Sequence, residues 1–471
     1  MTDRGSRLAD IVKAYDIRGI VPDQLDEDVA RAVGTAFVVA LQEAGDAAGT
    51  VVLAYDMRAS SPGLAAAFAE GVRAAGAAVI DAGLGSTDLL YYASGRLDLP
   101  GAMFTASHNP AQYNGMKLCG AGARPIGQDS GLARIRDLAQ ALLAGEIRPP
   151  EPAGGDAGLT RRDILADYAA HLRTLVDLSG IRPLTVVVDA GNGMAGHTVP
   201  AVLGDAKLAP LPLRIVPLYF ELDGTFPNHE ANPLDPANLV DLQHAVREHG
   251  ADLGLAFDGD ADRCFVVDER GEPVTPSAIT ALVAVRELAR HPGAAVIHNL
   301  ITSKAVPEIV AEHGGVPVRA RVGHSFIKER MAVTGAVFGG EHSAHYYFRD
   351  FWGADTGMLA AMHVLAALGE QDRPLSELAA AFVRYVASGE INSRVDNPAE
   401  AITRVEKAYG DEQLDHTDGL TVSFADGAWF NVRPSNTEPL LRLNVEAPDA
   451  TRMAALRDEV LATVRAPATA R

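Results

Sequence analysis

One local pattern recurs three times along this chain, and it leaves few folds open. Residues 51–55 (Val-Val-Leu-Ala-Tyr) read as a buried strand, 56–62 as a turn, the Ala-rich stretch after them as a helix, and 77–80 as a second strand. Residues 184–188 open a second copy, with a later strand at 216–220. Residues 294–297 open a third, with a helix over 305–312 and a strand at 317–320. A parallel connection needs a crossover, and a helix supplies it, so this order predicts parallel sheet covered by helices. Breaks in composition separate the copies: 148–158 is rich in Pro and Gly, a second break lies near 271–276, and a third falls at 388–397 after a helix-like run over 358–386. Beyond it, short strands at 420–424, 429–432 and 440–445 and a helix at 452–464 read as α+β. The expected architecture is three related α/β domains with mixed sheets sandwiched by helices (1–150, 155–272, 273–387) and a smaller C-terminal α+β domain (388–471). A chain of 471 residues has the length for four such units.

Asp258, Asp260 and Asp262 alternate in the string Asp258-Gly259-Asp260-Ala261-Asp262-Arg263. Three carboxylates so close repel one another, and a cation offsets that cost. Hard oxygen ligands in a compact loop suit Mg²⁺, which commonly keeps positions for water or a phosphate oxygen. An Asp-rich turn without metal is the plain alternative. A calcium hand is the sharper rival, because Asp258, Asp260, Asp262 and Glu269 fit its ligand positions. It fails where the sharp turn wants glycine, since Arg263 stands there, and its flanks, 251–257 and 264–268, read as strands rather than helices.

Other segments carry polar groups where chemistry could use them. Phe104-Thr105-Ala106-Ser107-His108-Asn109-Pro110 places Ser107 in an exposed turn with His108 and Asn109 beside it, and no Gly-x-Ser-x-Gly elbow frames it. Lys117 lies just downstream and could hold a phosphate or move a proton. Gly191-Asn192-Gly193-Met194-Ala195-Gly196 follows a strand and matches a dinucleotide fingerprint, but Glu221 is too far along to serve the ribose. Glu341 and Ser343 would share one side of an extended segment and make a clamp for sugar hydroxyls. Arg433-Pro434-Ser435-Asn436-Thr437 packs a guanidinium, two hydroxyls and an amide into a turn able to cradle phosphate.

Composition narrows the partners. A net charge of −20 argues against nucleic acid and anionic membranes. No apolar run approaches the roughly 20 residues of a membrane span. Residues 1–19 carry both charge signs and no apolar stretch, unlike a secretory leader. Cys119 and Cys264 sit in apolar, strand-like contexts, as buried thiols of a reducing compartment do. The expected location is the cytoplasm.

Together these motifs make the chain resemble the α-D-phosphohexomutase superfamily, and within it the bacterial phosphomannomutase/phosphoglucomutase group. The likeness covers essentially the whole length: Tyr15-Asp16-Ile17-Arg18-Gly19, the Ser107 loop, Asn114–Lys117, the 258–263 loop, Phe226-Pro227-Asn228-His229, Gly323-His324-Ser325, Glu341–Ser343 and Arg433–Thr437, in the family's order. The resemblance implies four domains around a central cleft. It implies that Ser107 carries a phosphoryl group, and that Asp258, Asp260 and Asp262 bind Mg²⁺ with a phosphoserine oxygen from Ser107 as a further ligand. Arg263 would contact the transferring phosphate. Arg18, His108, Lys117 and His324 would line the reaction centre. Tyr15, Glu341 and Ser343 would meet the sugar, and Arg433, Ser435, Asn436 and Thr437 the phosphate that does not react. The implied reaction moves phosphate between O1 and O6 of a hexose phosphate, mannose or glucose, through a hexose 1,6-bisphosphate that also acts as activator. The implied assembly is a monomer or weak dimer. A glucose- or glucosamine-specific mutase of this fold and a non-catalytic sugar-phosphate-binding protein are the alternatives. One departure stands out: Ile301 occupies the site where some members carry a substrate-contacting lysine, with Lys304 displaced from it, so Lys304 receives no role.

Overall fold

The structure, a computed structural model, describes residues 4–46, 48–148, 158–434 and 440–466. Four sheets organise it. In each of the first three, the opening strand becomes the centre of a parallel trio, and a fourth strand then adds antiparallel. In the first sheet Thr50–Tyr55 lies between Ala78–Leu84 and Gly101–Phe104, and Tyr113–Gly120 follows antiparallel. In the second, Leu184–Asp189 lies between Leu213–Leu218 and Leu253–Phe257, followed by Cys264–Asp268. In the third, Ala295–Asn299 lies between Val316–Ala320 and Phe338–Gly340, followed by Tyr346–Phe348. The repeated pattern in the sequence is therefore one topology used three times. The fourth sheet is antiparallel throughout, in the order Val386–Arg394, Leu440–Ala447, Trp429–Pro434, Leu420–Ser423, Gln413–Asp415.

The parallel strands are buried on both faces, which is why they read as unbroken apolar runs: Val51–Ala54 and Val186–Val188 are all within a few per cent of full burial. Helices cover them. Glu27–Glu43 starts where the Asp26 side chain accepts from the Val29 N–H, and Pro276–Arg290 starts on a Thr275 cap with Pro at its first position. One apolar cluster runs unbroken through the first three units, from Val52 to Leu378, so they share a core rather than merely touching. A second fills the outer face of the first sheet, and a third fills the C-terminal unit.

Two details differ from expectation. The stretch 388–397 is not a break: the strand Val386–Arg394 runs through it and pairs with Leu440–Ala447. Ser388 and Gly389 read as breakers because they form a bulge, where the register shifts between Ala387 and Glu390 and Gly389 takes a φ of 69°. The helix-like run before it is two helices, Gly357–Gly369 and Leu375–Ala380, separated where Pro374 starts the second. No helix among the described residues is long and apolar enough to cross a membrane.

Candidate active site

The shared topology brings the chemistry together. In each of the first three units, the turn between the third and fourth strands is one of the segments singled out in the sequence. Phe104 pairs with Met116 around the Ser107 loop, Phe257 with Cys264 around the aspartate loop, and Gly340 with Tyr346 around the Glu341 loop. Each turn holds a non-glycine residue in the left-handed region: Ser107 at φ 51°, Ala261 at 59° and Ala344 at 63°. Such backbone costs on the order of 1–3 kcal/mol and persists only where its surroundings enforce it.

The Ser107 and aspartate loops meet face to face. Ser107 is buried rather than exposed as its turn-forming neighbours suggested, because the aspartate loop covers it, and its Oγ donates to Asp258 Oδ2 at 2.7 Å. A Cβ on Gly259 would stand 2.4 Å from the Ser107 carbonyl oxygen, so only glycine permits this approach. Arg263 donates to Asp258 from Nε at 2.9 Å and from Nη2 at 2.7 Å, and Nη2 also lies 3.4 Å from Ser107 Oγ. The same Nη2 donates to His108 Nδ1, which lies 3.3 Å from Ser107 Oγ. Burial and the nearby Arg263 and Arg18 hold the His108 imidazole far below its usual range, so it is a neutral acceptor.

Asp258, Asp260 and Asp262 are essentially fully buried. One oxygen from each lies within 4.8 Å of the others. Lys117 Nζ bridges two of them, at 2.7 Å from Asp260 and 2.5 Å from Asp262. Burial works to raise all three carboxyls; Lys117 overrides it at Asp260 and Asp262, which fall below the usual range, while Asp258 is pushed up by burial and its two neighbours against the pull of Arg263. Three carboxylates against Lys117 and Arg263 leave one negative charge. Asp260 Oδ1 and Asp262 Oδ1 are buried without a hydrogen-bond partner among the described residues. Hard oxygen donors, surplus negative charge and two orphaned lone pairs fit a divalent cation such as Mg²⁺. The flanking strands form a hairpin, as the rejection of a calcium hand required.

The third loop closes on the second through a single backbone bridge between Arg263 and His345. Residues 341–343 form a turn rather than the extended segment expected, so Glu341 and Ser343 are not aligned by strand alternation. Glu341 is buried, and its carboxylate accepts from Tyr347 Oη at 2.6 Å, the Gly323 N–H at 3.2 Å and Asn299 Nδ2 at 3.3 Å. Ser343 Oγ lies 2.9 Å from His345 Nδ1, and His345 Nε2 stands 3.8 Å from Asp262. His345 thus joins the site, and its proximity was not legible from the motif. Arg18 donates to Asp16 at 2.7 Å and to Asn109, in the Ser107 loop, at 2.6 Å. Tyr15 is near Arg18, Lys117 and Glu341 electrostatically. Arg433, 6% exposed, gives Nη2 to Glu390 at 2.7 Å and leaves Nη1 buried without a partner among the described residues. His324 begins the helix His324–Thr334, but its side chain, with Ser435, Asn436 and Thr437, lies outside the described residues. Ile301 packs with Leu300 and Trp429, and Lys304 Nζ lies near Gly427, in the C-terminal unit.

Two supports escaped the sequence. Arg58 is 2% exposed, and its guanidinium donates to four backbone carbonyls of the Ser107 loop: Ser107 at 2.8 Å, Asn109 at 2.7 Å, Pro110 at 2.9 Å and Tyr113 at 3.0 Å. Thr87 holds the aspartate loop, its hydroxyl on Asp260 Oδ2 at 2.6 Å and its N–H on the Asp260 carbonyl at 3.0 Å. The glycine-rich turn at 191–196 is a buttress. A Cβ on Gly193 would meet the Gly259 backbone at 2.7 Å, and one on Gly196 would meet the Phe220 carbonyl at 2.2 Å. The segment 226–229 packs over both: Phe226 lies under the Arg58 guanidinium and Asn228 donates to Asn192 at 2.8 Å.

Four family models match the chain in succession: phosphoglucomutase/phosphomannomutase alpha/beta/alpha domain I over residues 9–143, domain II over 166–271, domain III over 275–385, and the C-terminal domain over 390–463. The chain is 46% identical over 440 residues to a phosphohexose mutase of Xanthomonas campestris pv. campestris, covering 92% of this chain and 94% of that protein. It is 41% identical over 459 residues to a phosphomannomutase of Escherichia coli, covering 96% and 98%. Among solved structures, a phosphoglucomutase/phosphomannomutase family protein from Burkholderia thailandensis superposes with a TM-score of 0.85 at 31% identity, covering 100% of this chain and 99% of that one.

Proposed function

Because the chain belongs to the phosphoglucomutase/phosphomannomutase family and is a hexose-phosphate mutase, we propose that it interconverts mannose 1-phosphate and mannose 6-phosphate, and also turns over glucose phosphates, with Ser107 as the phosphoryl carrier. The observation that carries this reading is the 2.7 Å contact of Ser107 Oγ with Asp258, inside a buried carboxylate triad and beside Arg263. A hydroxyl held at such a triad has what phosphoryl transfer needs: a fixed nucleophile, a guanidinium for the phosphate's equatorial oxygens, and carboxylates suited to a cation.

In the active form Ser107 bears a phosphoryl group, which takes the place of its hydroxyl contact with Asp258. Asp258, Asp260 and Asp262 would hold Mg²⁺, which supplies charge neutralisation for the transferring phosphate. Arg263 follows that phosphate from Ser107 to the sugar oxygen. The sugar hydroxyl that attacks must lose a proton; Lys117 and Arg18 are held cationic by their carboxylate partners, and His345, between the aspartate and Glu341 loops, is the group at hand to take it. Glu341, fixed by Tyr347 and Asn299, and Ser343 orient the sugar. Arg433 grips the distal phosphate, and Glu390 sets its plane while Nη1 stays available. The hexose 1,6-bisphosphate then turns end for end and returns the other phosphate to Ser107.

The test is a coupled assay of mannose 1-phosphate against glucose 1-phosphate and glucosamine 1-phosphate, with glucose 1,6-bisphosphate as activator. The reading expects the highest kcat/KM on mannose 1-phosphate, lower turnover of glucose 1-phosphate, and loss of both in Ser107→Ala. Faster turnover of glucosamine 1-phosphate would overturn the substrate assignment. Undiminished turnover in Ser107→Ala would overturn the carrier.

A further inference from the structure

Directly behind the aspartate loop, a buried carboxylate joins three of the four units. Asp88 is 1% exposed and sits in the first turn of the helix Thr87–Leu97. Three hydroxyls converge on it. Ser86, from its own unit, donates to Oδ1; Tyr168, from the helix Leu165–Leu175 of the second unit, donates to Oδ2 at 2.7 Å; Thr356, from the third, donates to Oδ2 at 2.7 Å. Burial pushes the Asp88 carboxyl up to about 6, and the three hydroxyls work against that shift. An apolar side chain would fill this core at lower cost than a desolvated carboxylate.

The neighbours of this junction are the supports of the reaction centre. Thr87, one residue earlier, holds Asp260 by side chain and backbone. Thr356 caps the helix Gly357–Gly369, accepting from the Leu359 N–H while donating to Asp88. Gly357, one residue later, packs so tightly on Arg263 that a Cβ would stand 2.5 Å from its carbonyl carbon. Asp88 therefore ties the element that holds Asp260 to the element that backs Arg263, and Tyr168 anchors both to the unit carrying the loop.

We propose that Asp88 is a positioning residue for phosphoryl transfer: its carboxylate locks the first three domains together behind the metal loop and so sets where Asp260 and Arg263 stand relative to Ser107. Asp88 touches no reacting atom. The inference rests on Asp258, Asp260 and Asp262 being the metal ligands.

The test compares Asp88→Asn, Tyr168→Phe and Thr356→Ser with the full-length wild-type enzyme. Asp88→Asn should lower kcat for mannose 1-phosphate and raise the Mg²⁺ concentration for half-maximal activity, each by about tenfold, the low end of what outer-shell partners of metal ligands contribute. The KM for mannose 1-phosphate should stay within about twofold, because the sugar and distal phosphate contacts lie on other loops. Tyr168→Phe removes one hydroxyl without changing ring volume and should show the same split, smaller in size. Thr356→Ser keeps the hydroxyl and should match wild type. If Asp88→Asn does not fold, Tyr168→Phe decides. Wild-type kcat and Mg²⁺ requirement in folded Asp88→Asn or Tyr168→Phe would overturn the inference, as would a loss matching only a reduced folded fraction. Failure of the metal assignment itself would look different: the wild-type enzyme would keep its activity in excess chelator.

Discussion

Arg58 separates two effects that a single substitution would mix. Its guanidinium serves four carbonyls of the Ser107 loop and lies 3.3 Å from the buried carboxylate of Asp56. Arg58→Met removes the charge that faces Asp56 Oδ2, and breaking a buried pair from one side costs about 3–5 kcal/mol. It also leaves the buried Ser107 carbonyl without its donor, about 1–3 kcal/mol more. Adding Asp56→Asn removes the stranded charge while keeping an acceptor for Ser61 Oγ, which donates to Asp56 at 2.5 Å. The double variant should therefore recover most of the lost stability, read from the thermal unfolding midpoint. It should not recover turnover. Ser107 holds a left-handed φ of 51° against its own preference, and the Arg58 clamp is one of the contacts that hold the loop in that shape. Once released, the loop relaxes, and a displacement of about 1 Å at a reacting group costs on the order of 10²-fold in rate. Initial rates with mannose 1-phosphate and saturating bisphosphate give the readout. A double variant with kcat within about twofold of wild type would refute the view that Arg58 places the nucleophile, on the same scale.

Excess EDTA should abolish turnover and added Mg²⁺ should restore it; full activity in chelator would remove the metal from the account. Lys117→Met should be less stable than wild type in EDTA, because Asp260 and Asp262 lose their shared cation, and Mg²⁺ should then raise its melting temperature more than it raises that of wild type. Arg433→Lys should raise KM for mannose 1-phosphate by about tenfold, since a lysine cannot reproduce the guanidinium fork and each 1.4 kcal/mol is about tenfold in affinity. Its Mg²⁺ requirement should be unchanged; an unchanged KM would place the distal phosphate elsewhere.

The strands that opened each repeat were legible because burial on both faces forces long apolar runs, and the helix Ala305–Glu312 stood out by its composition. The polar loops were legible because carboxylates, hydroxyls and glycines crowd where turns are needed. That Ser107, the aspartates and Glu341 occupy the same turn of one repeated topology was hidden, since crossover helices and loops of unequal length separate each from the start of its unit. Arg58 was hidden for another reason. A charged residue in a strand-to-helix turn looks solvated, and only the fold shows that four carbonyls surround it. Asp88 follows Ser86 and Thr87, so by sequence it is one more polar residue at a helix start. Glu341 and Ser343 misled because alternation assumes an extended chain, and the hairpin between Phe338–Gly340 and Tyr346–Phe348 turns there instead.

The most direct test of the account asks where the phosphate goes. Dephosphorylated enzyme is incubated with Mg²⁺ and glucose 1,6-bisphosphate, digested, and the peptides are sequenced by mass spectrometry. The account predicts a phosphate on Ser107, still present after turnover of added mannose 1-phosphate because each cycle returns one, and absent from Ser107→Ala. A phosphate carried by any other residue, or a fully active enzyme that never bears one, would contradict it.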